Sequence, residues 1–149
     1  MTIPHFDQHG LLPVGVHDCT WEEIRSAMCW NETRLAIFQK TQQFFEQEWK
    51  PLQIQASVWV DGSFTRKKEH PEDIDVVADI SDLSTEAAMP AFVLWFKQAS
   101  IKAQYAVDFW LKHPILPNDL THFFQYTGLK AGAELGLDSK QPKGILRVT

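Results

Sequence analysis

Leu52-Gln53-Ile54-Gln55-Ala56-Ser57-Val58-Trp59-Val60 runs into Asp61-Gly62-Ser63, and nine residues further on comes Asp73-Ile74-Asp75-Val76-Val77-Ala78-Asp79-Ile80. In the first segment Leu52, Ile54, Ala56, Val58 and Val60 alternate with Gln53, Gln55, Ser57 and Trp59. A period of two marks a strand with one face buried. Asp61-Gly62-Ser63 breaks it, with Asp61 as a turn residue before glycine. In the second segment Ile74, Val76, Ala78 and Ile80 share one face, and Asp73, Asp75, Val77 and Asp79 share the other. The polar stretch Phe64 to Glu72 joins the two strands.

Upstream, residues 1–19 read as an extended arm, because Gly10, Pro13 and Gly15 are spaced too closely for a helix. Thr20-Trp21-Glu22-Glu23 fits a capping box, and Asn31 offers a second N-cap. Leu35, Phe38, Gln42, Phe45 and Trp49 then recur at helical spacing, so residues 20–50 are expected to be helical until Pro51. Downstream, a helix is expected over 86–99, with Pro90 at the first turn of its main segment. A third strand is expected over 104–111, a helix over 119–133 and a short last strand over 145–148. The order predicts an α+β fold: a small mixed β-sheet with helices packed on one side. At 149 residues one domain is expected, with its core in 52–111 and a C-terminal helix and strand in 119–149.

Composition narrows the function. Fourteen Lys and Arg against nineteen Asp and Glu leave a net charge of −5. That disfavours sequence-independent binding of duplex DNA, which relies on cations neutralising phosphates. No run of about 18 apolar residues predicts a membrane span. The first ten residues lack the basic and apolar pattern of a signal peptide, so a cytoplasmic location is expected. Two cysteines, Cys19 and Cys29, are too few for a disulfide scaffold. The histidines show no zinc-binding spacing.

The chemistry lies at the strand ends. Asp73 and Asp75 are two apart on a strand, so their carboxylates share a face and repel unless a cation lies between them. Asp108, on the third strand, can join them. Oxygen ligands of this kind suit Mg²⁺ or Mn²⁺. Gly62 lets backbone approach a phosphate, Ser63 can donate to one, and Arg66, Lys67 and Lys68 bring positive charge. Lys130 and Lys143 read as surface lysines within possible reach of a triphosphate.

Gly62-Ser63, the gap of nine, Asp73-x-Asp75 and a carboxylate on a following strand together resemble the polymerase-β-like nucleotidyltransferase superfamily. The likeness is closest to its minimal bacterial members. Asp61-Gly62-Ser63-Phe64 with Lys68, Pro71 and Asp73-Ile74-Asp75-Val76-Val77 is similar to a little-characterised group of defence-associated and mobile loci. The arm from Gly10 to His17, followed by Thr20-Trp21-Glu22-Glu23, resembles that group too. The resemblance implies that Asp73, Asp75 and Asp108 hold two divalent metals and that Asp108 also helps deprotonate an acceptor hydroxyl. It implies that Gly62 and Ser63, with Arg66 and Lys68, bind the phosphates of an NTP, most plausibly ATP. The implied acceptor is a protein, an RNA or a small molecule, and the implied setting is a toxin–antitoxin or antiphage system with a protein partner. Two departures stand out: Lys67 follows Arg66 where many members have glycine, and Glu72 precedes Asp73 where many have serine. The alternative expectation is a non-catalytic binding or antitoxin module on the same fold. A nuclease is a third reading, but it would leave Gly62-Ser63 without a task.

Overall fold

The computed structural model describes residues 3–149; Met1 and Thr2, the start of the expected arm, lie outside the described residues. Its centre is a five-stranded mixed sheet. The strands are β1 (Gly15–Cys19), β2 (Ser57–Asp61), β3 (Ile74–Asp79), β4 (Val107–Lys112) and β5 (Gly144–Val148), in the order β1-β5-β2-β3-β4. β5 and β3 both run antiparallel to β2, β1 runs parallel to β5, and β4 runs parallel to β3. The α+β class and the mixed sheet are as expected, but the helices are not confined to one side of it: Leu120 and Phe124 pack on the face opposite the main core.

Helices α1 (Trp21–Met28), α2 (Glu32–Phe44), α3 (Thr85–Trp95) and α4 (Gln98–Tyr105) supply the main core. Ile24, Phe38, Phe44, Phe92 and Tyr105 pack on Val58, Val60, Ile74, Val76, Ala78, Val107 and Phe109, the even face of β2 and β3 and the odd face of β4. Thr20 caps α1 in the expected capping box, and the Asn31 side chain caps α2. The opposite sheet face is covered later in the chain. Trp59, Val77 and Ile145 form a smaller cluster there, with Leu120, Phe124 and Trp110 packed against it. Trp59 therefore lies in a second apolar layer, not on a polar face, because the chain after β4 folds back over it.

Several element boundaries differ from expectation. Part of the arm is strand: β1 joins the sheet edge beside β5. The long helix leaves regular α geometry at Phe44. It continues through a wide π turn at Phe45–Trp49, then a tight 3-10 turn at Lys50–Leu52 that contains Pro51 and is ended by Gln53 in the left-handed region. The chain therefore joins the ladder only at Ser57, not at Leu52. The expected helix over 86–99 is two helices, with Pro90 inside α3. Gln104 and Tyr105 belong to α4: Ile101 and Tyr105, four apart, are both buried on one face of that helix. Ala106 then turns the chain with φ 56°, and β4 starts at Val107. The last helix is also divided, into α5 (Leu120–Phe123) and α6 (Gly128–Leu135), where Tyr126 bridges to Pro142 and Gly128 takes φ 82°.

Candidate active site

Strand register aligns the carboxylates. Asp61 pairs with Asp75 across β2 and β3, and Asp75 pairs with Asp108 across β3 and β4. β2 ends where β3 and β4 begin, so antiparallel and parallel pairing together put three aspartates in one row. By alternation they point to the sheet face that α1–α4 leave uncovered. Asp73, just before β3, joins them at the rim of a cleft of about 990 Å³. The seven residues that the resemblance implies, Gly62, Ser63, Arg66, Lys68, Asp73, Asp75 and Asp108, line this cleft, whereas Lys67 does not and its N–H donates to Gly10 O in the arm.

The turn after β2 is fitted to the second aspartate. Gly62 has φ 82°, a conformation side chains rarely adopt. A Cβ built on it would lie 1.7 Å from Asp75 Oδ2. Glycine is thus required twice, by the backbone and by the carboxylate resting on it. Gly62–Thr65 then makes one 3-10 turn that presents Ser63 to the cleft.

Asp75 and Asp108 stand side by side as register partners on β3 and β4. Burial, the adjoining Asp108 carboxyl, and the charges of Asp73 and Asp61 push the Asp75 carboxyl up to about 9. Asp73 is turned toward α4, where Lys102 Nζ stands 3.3 Å from its Oδ2. The nearby carboxylates, Asp108 foremost and then Asp73, hold the Lys102 ammonium above its usual range. Among the described residues, no three His, Cys, Asp or Glu side chains are drawn together as a ready metal cage. The three aspartates share the cleft, but Asp73 engages Lys102 while Asp75 and Asp108 engage each other.

Lys102 escaped the sequence reading because its partner was fixed only by α4 packing beside β4. Four further residues depart from their sequence-level roles or were missed. Asp61 is not a simple turn residue, and Lys143 is not a surface lysine: they form an ion pair, with Asp61 1% and Lys143 7% exposed. Burial pushes the Asp61 carboxyl up, and Lys143 pulls it down. Arg34 on α2 is fully buried and ties the loop after β2 in place. Its Nε donates to Met28 O (2.5 Å), Nη1 to Lys68 O (2.5 Å) and Nη2 to Phe64 O. Its guanidinium lies between Trp30 and Phe64, 3.7 and 4.6 Å from their ring centroids. Glu134 on α6 accepts from Arg66 Nη2 at 2.5 Å, with Lys68 Nζ 3.8 Å away. Arg66 and Lys68 are therefore placed at the cleft but engaged with a carboxylate.

The cleft gathers as many basic as acidic side chains although the chain is acidic. Asp61, Asp73, Asp75, Asp108 and Asp119 face Arg66, Lys68, Lys102, Lys130 and Lys143. A divalent cation would tip it positive, which suits a polyphosphate.

A model of a family of unknown function, DUF6932, matches residues 4–149. The chain belongs to the DUF6932 family. No curated protein and no solved structure matches it. In this DUF6932 chain the matched span includes the whole sheet, the aspartate row and the residues that hold the Gly62 turn. Among the described residues, no helix is long and apolar enough to cross a membrane.

Proposed function

We propose that this chain is a metal-dependent nucleotidyltransferase that moves a nucleoside monophosphate, AMP from ATP, to a hydroxyl. The observation that carries the reading is the row Asp61–Asp75–Asp108 beside a Gly62-Ser63 turn that only glycine fits, all in one cleft. The donor set suits Mg²⁺ or Mn²⁺: it is all oxygen, and its carboxylates are crowded enough to retain a proton, which a cation would replace. Asp73, Asp75 and Asp108 would hold the metal. When bound, it would neutralise charge building on the phosphoryl oxygens.

The chain's own residues supply positioning. Gly62 and Ser63 seat phosphate oxygens, and Arg66 and Lys68 add charge-assisted hydrogen bonds once Glu134 is exchanged for substrate. Asp108 accepts the proton of the acceptor hydroxyl. That oxygen bonds to the α-phosphorus as the bond from phosphorus to the pyrophosphate oxygen breaks, and pyrophosphate leaves with the bonding electrons. The acceptor is a protein, an RNA end or a small molecule. The resemblance to defence-locus proteins suggests a cytoplasmic toxin–antitoxin or antiphage setting with a protein partner.

Incubation with α-labelled NTPs, Mg²⁺ and protein or RNA acceptors tests the reading. Wild type transfers label, and Asp73→Asn/Asp75→Asn does not. A wild type that labels nothing, with no phenotypic difference from the double variant, overturns catalysis.

One observation favours the second reading, a non-catalytic binding or antitoxin module. Met89, Val93 and Phe96 form an exposed apolar stripe along and just past α3, with Phe96 76% exposed. An enzyme gains thermal stability from NTP with Mg²⁺ through linkage, whereas a pure scaffold does not respond.

A further inference from the structure

Lys143 is the least explained charge in the molecule. It directly precedes β5, lines the cleft and is almost wholly buried. Its ammonium carries three donors. One goes to Asp61 Oδ1, and among the described residues the ammonium makes no other hydrogen bond. Asp61 Oδ1 also accepts from Thr65 Oγ1 at 3.2 Å, while its Oδ2 is buried with no partner. A buried ion pair is weak evidence for stability, since desolvation offsets the attraction unless the remaining donors and acceptors are satisfied. Here they are not, and the unmet groups lie at the cleft.

The order of groups along the sheet gives this pair a side of the reaction. From β5 to β4 the row reads Lys143, Asp61, Asp75, Asp108. In-line displacement puts the attacking and leaving oxygens on opposite sides of phosphorus. If Asp108 takes the acceptor's proton at the β4 end, the leaving group lies toward β2 and β5. The Gly62-Ser63 turn and Lys143 stand there. We infer that Lys143 binds the terminal phosphates of the nucleotide, the part that leaves as pyrophosphate, and that Asp61 is the positioning residue that holds its ammonium toward the cleft. The inference rests on the nucleotidyltransferase reading and adds to it a binding residue from the last strand.

Calorimetric titration of the full chain with α,β-methylene ATP, pyrophosphate and AMP, each with Mg²⁺, tests it. Lys143→Met alone leaves the buried Asp61 unpaired and endangers folding, so the decisive variant is Asp61→Asn/Lys143→Met, which removes both charges; circular dichroism and melting confirm that it folds. Its affinity for α,β-methylene ATP and pyrophosphate is expected to fall about tenfold or more, roughly one lost charged contact, with AMP affinity unchanged. Lys143→Arg, which keeps the charge, retains most of the pyrophosphate affinity. A folded double variant that binds both polyphosphates as wild type does overturns the role of Lys143 and leaves the nucleotide site standing. A wild type that binds none of the three ligands overturns the nucleotide reading, and the role of Lys143 with it.

Discussion

Asp75 and Asp108 are direct register partners across two parallel strands, and burial together with the adjoining Asp108 carboxyl favours the protonated form of Asp75. Burial and the neighbouring carboxyls push Asp75 up to about 9 in the folded chain, well above the value near 3.9 of an aspartate in an unfolded one. The folded state thus holds the extra proton between those values. Its contribution to stability is complete below the unfolded value and is lost as pH rises toward the folded one. The melting temperature of chelator-treated protein is expected to fall between about pH 5 and pH 8. Asp75→Asn flattens that slope. If the site takes Mg²⁺ as proposed, the cation replaces that proton and raises the melting temperature more at the higher pH. A flat wild-type profile contradicts the pairing.

Gly62→Ala tests the fit between the turn and the carboxylate. The left-handed backbone alone costs about 1–2 kcal/mol for a residue with a Cβ. The new methyl group also collides with Asp75 Oδ2, which must move. Urea unfolding should show at least the backbone loss. Nucleotide and Mg²⁺ binding should fall further than the loss of stability explains. Binding unaffected by the substitution would mean that Asp75 is not held by the turn.

Arg34→Met removes three hydrogen bonds from a buried guanidinium to the carbonyls of Met28, Phe64 and Lys68. Hydrogen bonds to charged groups are worth about 1.5–3 kcal/mol each, and orphaned carbonyls add a penalty. A loss of about 3 kcal/mol or more in chemical denaturation is expected. Limited proteolysis should open the chain between Ser63 and Glu72 first, because that loop loses its anchor to α2.

Glu134→Gln frees Arg66 and Lys68, which the proposed function assigns to phosphate binding. Arg66 holds the Glu134 carboxyl below its usual range, with Lys68 adding to the effect, which is the signature of an occupied cation pair. The affinity for pyrophosphate with Mg²⁺ should rise a few-fold in the variant. The gain should shrink with added salt, since the contact is partly exposed. A variant with reduced affinity would show that α6 helps bind the nucleotide.

Local patterns in the chain carried much of this. Alternation from Val58 to Val60 and from Ile74 to Ile80 located two strands and put Asp73 and Asp75 on one face. Thr20 and Asn31 announced the starts of α1 and α2, because cap chemistry acts within four residues. Helix ends were less legible. Gln53 and Ala106 turn the chain in left-handed conformations that neither residue type advertises.

By itself, the sequence determined the α+β class, the Gly62-Ser63 turn and the aspartates on β3, because each depends on period and near neighbours. Only the tertiary structure decided which charges meet. Asp61 and Lys143 are 82 positions apart, and Arg66 and Glu134 are 68 apart. Whether a lysine or arginine is solvated, paired or buried depends on which strand or helix packs over it, and that is settled by the topology of the sheet. The position of Asp108 was readable, but its partnership with Asp75 required the parallel register of β3 and β4.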